Sequence, residues 1–493
     1  MPQTYDRLSA QDATFLDLET PNHHQHIAAA VVFESGPLAT PDGGVDIERV
    51  RAYVGSRLHR LPRYRQRLAR IPIENHPVWV DDPHFRLSYH VRHTALPHPG
   101  DLGQLKALVS RIISRPLDRE RPLWETWVVE GIDGGSRFAL VQKVHHCMID
   151  GIAGVDLMAV LLSADPDETP EPAPPWEPRP IPDGLELLKG EVTRRVEGAF
   201  RALGRAPRAL RDPVGALEQL WEELEAVAET LTAGLRSASE TPINRPLGPH
   251  RRFDWTEIPL PRVKAVKDVL GGTVNDVVLA TVAGALRRFF SLRRIPVDGL
   301  QIRANVPVSL RSRDERGTLG NRIALLMAEL PVDEPDPGRR LERVRETMGR
   351  LKKSRQAMGA EVLAAVSDWT SATLLSLAVR VAARGRPYNL VVTNVPGPQM
   401  PLYLLGARME ACYPVVNLLP NQGLGVALFS YAGTLFWGFT ADLDQLPDLS
   451  DFVHAIEDCF AELEDLAAQQ QPSAPAGQPV RDPRRSAPSV SAP

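Results

Sequence analysis

The 493-residue sequence predicts a mixed α/β chain of two bodies joined by a helical connector, on three observations. The length is about three times that of a typical domain, so two or three domains are expected. Strand-like and helix-like segments are mixed on both sides of one proline-rich stretch, which places α/β character in each body. That stretch, in which eight of the seventeen residues from Pro166 to Pro182 are proline, lacks backbone donors and cannot continue a helix, so it reads as an extended linker.

The first body, residues 1–165, carries strand-like IAAAVVFE, FRLSYHVRH, WETWVVEGI and RFALVQKVHH, with GQLKALVSRIISR as a helix. Residues 166–250 hold the linker and a connector whose Leu217, Leu220, Trp221, Leu224, Val227, Leu231 and Leu235 fall at i, i+3, i+4 spacing, an amphipathic helix. Its apolar stripe needs a cover, either another domain or a membrane interface. The acidic face (Glu218, Glu222, Glu223, Glu225) disfavours anionic lipid. The second body, 251–467, has helical TVNDVVLATVAGALRRFF and DPGRRLERVRETMGRLKK, with strand-like LQIRANVPVSL, NRIALLMAEL, YNLVVTNVPG and VALFSYAGTLFWGFT. Residues 468–493, rich in Gln, Ser, Ala and Pro, read as a disordered tail.

With 57 basic against 61 acidic residues, the net charge of −4 gives no electrostatic case for nucleic acid. Apolar runs such as Val277–Leu286 are too short for a membrane span, and the N-terminus lacks the apolar region of a signal peptide. Cys147, Cys412 and Cys459 have neither disulfide-framework nor zinc spacing, which fits a reducing cytoplasm.

The sharpest local feature is His145-His146-Cys147-Met148-Ile149-Asp150-Gly151, between a strand and a helical run. At average composition this pattern arises by chance in about one such chain in a thousand. Neighbouring strand side chains point to opposite faces, so the two histidines do not share one small site and a two-His metal site is not expected. One histidine is free to work while the other is structural. Asp150-Gly151 marks a tight turn whose acid can fold back onto a ring nitrogen or a distant arginine. A histidine held this way is a general base at neutral pH; the bland alternative is a pair of core histidines above a turn.

Other residues carry paired readings. Thr273 and Asp276, on either side of Asn275, have the spacing of a helix cap. Asn394, before Pro396-Gly397, serves either substrate or a turn. Trp124, in Pro122-Leu123-Trp124, reads as a core aromatic. Arg303, on a strand, pairs with Asp150 across the bodies or lies exposed. His24 and His26 share a face without a third ligand, so no metal is expected. Cys147 points away from His146, and LFSYAG lacks the first glycine of a serine-esterase elbow.

HHxxxDG is the signature of the chloramphenicol acetyltransferase-like superfamily of coenzyme-A-dependent acyltransferases. Nearly the whole chain to residue 467 resembles the bacterial wax ester synthase/diacylglycerol acyltransferase family, through LSAQDATFLDLETP, FRLSYHVRHTALPHPG, RPLDRERPLWETWVVEGI, GPHRRFDWTEIPL, GGTVNDVVLA, ANVPVSLR with LGNR, and NVPGP. Departures are Cys-Met-Ile within the motif, where smaller residues are usual, and PNHHQHIAA, where Pro-Met-His-Val is usual; both bear on substrate preference. The resemblance implies two chloramphenicol-acetyltransferase-like α/β domains side by side. It also implies direct acyl transfer from acyl-CoA to diacylglycerol or fatty alcohol without an acyl-enzyme. His146 is then the base, supported by His145, Asp150 and Gly151; Asn275, Asp276, Pro122, Leu123, Trp124, Arg303 and Asn394 line the substrate site. Acyl-CoA is a substrate, and no cofactor is expected. A cytoplasmic enzyme in peripheral contact with the inner membrane face or lipid inclusions follows. The rivals are a condensation-type catalyst using carrier-bound acyl groups and a non-catalytic lipid-surface binder.

Overall fold

A computed structural model describes residues 4–148, 157–169, 171–205, 238–309, 323–358 and 388–470. The first half runs β1 (Tyr5–Arg7), α1 (Ala10–Asp17), β2 (His26–Glu34), α2 (Ile47–Arg57), β3 (Gln66–Arg70), β4 (Pro77–Asp81), α3 (Leu87–His90), β5 (Val91–Ala95), α4 (Leu102–Ser114), β6 (Trp124–Ile132), β7 (Arg137–His145), α5 (Leu157–Leu161) and α6 (Gly184–Arg205). The second runs β8 (Arg251–Pro259), α7 (Leu260–Leu270), α8 (Val274–Leu292), β9 (Ile302–Ser309), β10 (Ile323–Leu330), α9 (Pro337–Met358), β11 (Leu390–Pro396), β12 (Tyr403–Leu404), β13 (Ala407–Val415), β14 (Leu424–Tyr431), β15 (Thr434–Asp442) and α10 (Leu449–Gln470). The connector stripe from Leu217 to Leu235, the LGNR segment and the tail lie outside the described residues.

These elements form two six-stranded sheets, ordered β12-β13-β2-β7-β6-β5 and β10-β9-β11-β14-β15-β8, with a small β1-β4-β3 sheet beside the first. β13 belongs by sequence to the second half but pairs antiparallel with β2 of the first, Tyr413 opposite Ala30 and Val415 opposite Ala28. The chain thus leaves its own sheet, completes the other, and returns as β14. Where it crosses β15, the backbones nearly touch: a Cβ on Gly438 would lie 1.8 Å from the Pro414 carbonyl oxygen, so only glycine fits.

Local chemistry explains the elements that position the site. α4 opens on a capping box, in which the Gln104 amide donates to Asp101 Oδ1 at 2.8 Å and the Asp101 amide donates to Gln104 Oε1 at 3.1 Å. α8 is apolar on all sides from Val277 to Leu286 because it lies inside, against α9 and α10. Among the described residues no single helix is long and apolar enough to cross a membrane; α7 and α8 meet such a test only as a pair bent by 95°.

One expected strand is corrected. The alternating FRLSYHVRH predicts extended chain, yet Leu87–His90 is a helical turn and only β5 is extended. Ring packing overrides the period: the turn stacks His90 on Phe85 at 5.2 Å and on Trp124 at 4.7 Å, and His90 Nδ1 donates to the Trp124 carbonyl. The proline-rich stretch lies along the first body, where the Arg179 amide donates to Asp81 Oδ2 at 2.9 Å and Trp176 sits under Arg65.

Candidate active site

β7 ends at His145, and His146 to Met148 form a 3-10 turn, so the two histidines part company through the turn as well as through strand alternation. His145 is buried, opposite His26 on β2, with its amide bonded to the Leu123 carbonyl at 2.9 Å. Its Nδ1 accepts from the Cys147 amide at 3.1 Å, so in the neutral ring the proton sits on Nε2. That atom lies 3.1 Å from Glu19 Oε1.

Glu19 is the residue that sequence reasoning missed. It follows α1, pairs with Arg119 at 2.6 Å, and accepts from the Gln25 amide at 2.8 Å. Burial acts to raise its carboxyl, but His145, Arg119 and the Gln25 amide outweigh that and hold it well below the usual carboxylate range. The available signal was an acid just before a segment with three histidines, His23, His24 and His26. Gln25 ties this cluster together: its carbonyl accepts from the His146 amide at 2.7 Å, and its side chain contacts His23 at 3.1 Å and Asn417 of the second half at 2.7 Å.

The ring of His146 stacks on Phe15 of α1 at 4.0 Å between centroids. Its Nδ1 is buried and has no hydrogen-bond partner among the described residues. Burial pushes this ring down to about 4, against a smaller upward pull from its own backbone, and His145 adds to the fall. His146 is therefore neutral at any physiological pH, the form that can accept a proton. His24 is likewise lowered by burial to about 4, and its ring stacks on His26 at 5.3 Å. No metal-binding cluster occurs among the described residues. Cys147 is buried, which pushes its thiol up and away from nucleophilic use.

Asp150 and Gly151 lie outside the described residues. The structure brings together Asn275 and Asn394, singled out separately in the sequence: Asn394 Nδ2 donates to Asn275 Oδ1 at 2.7 Å. The cap around them is also present, with the Thr273 amide bonded to Asp276 Oδ2 at 2.8 Å and the Asp276 amide to Thr273 Oγ1 at 3.3 Å. Pro122, Leu123 and Trp124 are buried, and Trp124 Nε1 donates to the Tyr64 carbonyl at 2.8 Å. The triplet acts as packing that also anchors His145 through the Leu123 carbonyl. Arg303 is half-buried, opposite Glu329 on β10, with its amide held by Asn389 Oδ1 at 2.9 Å.

Two sheets with a histidine pair at the end of a central strand define a chloramphenicol-acetyltransferase-like fold. The first condensation domain of the CDA synthetase shares it, with a TM-score of 0.52 at 16% identity over 95% of this chain and 97% of its own. Residues 8–278 match the wax ester synthase/diacylglycerol acyltransferase catalytic domain, and 319–464 the WS/DGAT C-terminal domain. A Mycobacterium tuberculosis protein named provisionally as a diacylglycerol O-acyltransferase is 34% identical over 471 residues, 94% of this chain and 91% of its own. The wax ester synthase/diacylglycerol acyltransferase from Marinobacter aquaeolei VT8 superposes with a TM-score of 0.69 at 28% identity, over 94% of this chain and 100% of its own. The chain belongs to the wax ester synthase/diacylglycerol acyltransferase family and is an acyltransferase.

Proposed function

We propose that the enzyme transfers a long-chain acyl group from acyl-CoA to the free hydroxyl of diacylglycerol, and to fatty alcohols, with His146 as general base. The observation that carries this reading is the buried, neutral His146, whose Nδ1 lacks a partner among the described residues. In this scheme neutral His146 takes the hydroxyl proton as the alcohol oxygen attacks the thioester carbonyl. The tetrahedral adduct collapses with cleavage of the C–S bond, and the thiolate leaves with the proton returned from His146. His145 holds the turn that presents His146, and Glu19 fixes His145. Asn394 donates into Asn275 Oδ1, which leaves Asn275 Nδ2 as a candidate donor to the developing oxyanion. Arg303, together with Asp150 and Gly151, completes the site in this reading. Since the acceptor is dissolved in lipid, the enzyme meets a membrane or lipid inclusion at its surface, for which exposed Leu185, Val192 and Val196 along one side of α6 offer apolar contact.

The test is coenzyme A thiol release from acyl-CoA plus diacylglycerol by His146→Ala. A loss of about a hundredfold or more is expected, with circular dichroism unchanged. Activity surviving within about threefold would remove His146 from the role of base.

A further inference from the structure

We infer that a cleft between α4 and β8 holds the phosphate groups of the acyl-CoA donor, a reading that rests on the proposed function. The cleft has a volume of about 840 Å³, the size of a single-molecule site. One wall is a single face of α4, where Lys106, Ser110, Arg111 and Ser114 recur at helical spacing and Gly103 and Ala107 leave room between them, with Arg115 just past the end of the helix. The other wall is β8, the edge of the second sheet.

The polar inventory separates groups already used from groups held ready. Ser114 Oγ and Ser110 Oγ accept from the Arg251 and Phe253 amides at 2.8 and 2.9 Å, so the serines bind the edge of β8 and join the two halves. Lys106 pairs with Asp254, and Arg251 with Asp442 and backbone carbonyls. Arg111, Arg115 and Arg252 remain, and among the described residues their side chains have no ion pair or hydrogen bond. Three guanidinium groups around one concavity repel each other, in a chain whose overall balance is slightly acidic. That arrangement is stable against a polyanion, and arginine's fork suits phosphate oxygens.

The source of the phosphate follows from where the cleft leads. His24 lies on its wall, its ring 5.3 Å from that of His26, which lies 5.8 Å from that of His145, the residue before the candidate base. A donor with its nucleotide at Arg111, Arg115 and Arg252 has its pantetheine arm and thioester on the side of the cleft that His24 and the histidine cluster occupy. A phospholipid headgroup shares the phosphate chemistry but not the need to reach the buried histidines.

The experiment compares kcat/KM for acyl-CoA with that for the phosphate-free acyl-pantetheine thioester, in the wild type and in Arg111→Ala, Arg115→Ala and Arg252→Ala. Binding to vesicles with and without phosphatidylglycerol is measured in parallel. Arg111 and Arg115 are exposed, so truncation leaves the core intact. The ratio of the two efficiencies should fall by about tenfold per guanidinium removed. An unchanged ratio overturns the cleft assignment while leaving acyl-CoA as donor. An unchanged ratio with weakened binding to the anionic vesicles alone overturns it in favour of a headgroup site. If the wild type turns over neither thioester, both readings fall together.

Discussion

Acidification distinguishes a buried His146 from an ordinary one. The ring lies against Phe15 and is lowered to about 4 by burial. At pH 5 a group with that value is still about nine-tenths neutral, whereas an ordinary histidine near 6.5 is only about 3% neutral. If neutral His146 is the base, kcat/KM for acyl-CoA should fall by only about a tenth between pH 7.5 and pH 5. An unperturbed base would lose about thirtyfold over the same range. Because kcat/KM reports the free enzyme, the acid limb measures the ring in the state described above. The assay is initial-rate thiol release at low substrate across that range, with recovery of full activity on return to pH 7.5 as the control for folding. Phe15→Ala supplies the second arm. Uncovering the ring should move the acid limb upward toward 6.5. A wild-type limb centred near 6.5, unmoved by Phe15→Ala, would refute burial as the cause of the ring's neutrality.

Two further outcomes separate structural from chemical roles. Thr273→Ala, which removes the α8 cap, should cost about 1 kcal/mol in chemical denaturation and leave kcat nearly unchanged. Asn275→Ala should do the reverse, lowering kcat by about a hundredfold at nearly unchanged stability; a stability loss with intact kcat would assign it to the helix end alone. Gly438→Ala forces β15 off the Pro414 carbonyl and should cost about 3 kcal/mol or more, and a loss under about 1 kcal/mol would show that the crossing can relax.

What could be read in advance follows the range of the interaction. The α8 cap was legible because both partners, Thr273 and Asp276, sit within one turn. The strand that ends at His145 was legible because its β-forming residues, Phe138 to Val144, are contiguous in sequence. Asn275 and Asn394 were each visible as polar residues at element ends, but their hydrogen bond, spanning 119 positions, was not. Glu19 was missed for the same reason: the histidines that follow it are near in sequence, whereas its partner His145 is brought to it only by the fold. The turn at Leu87–His90 was misread because stacking on Trp124, set by tertiary packing, outweighed an alternating pattern.

The strand exchange at β13 bears on how such enzymes can be recombined. A hybrid built by joining residues 1–250 of one relative to the remainder of another would import a foreign β13 into the first sheet, against a β2 it was not matched to. The close crossing of Pro414 over Gly438 would stay matched in such a hybrid, because both residues come from the same parent. The natural unit of inheritance is therefore not the segment before the proline linker but that segment together with residues 403–415. Acceptor or donor preference should transfer between relatives only when that short excursion travels with the N-terminal half.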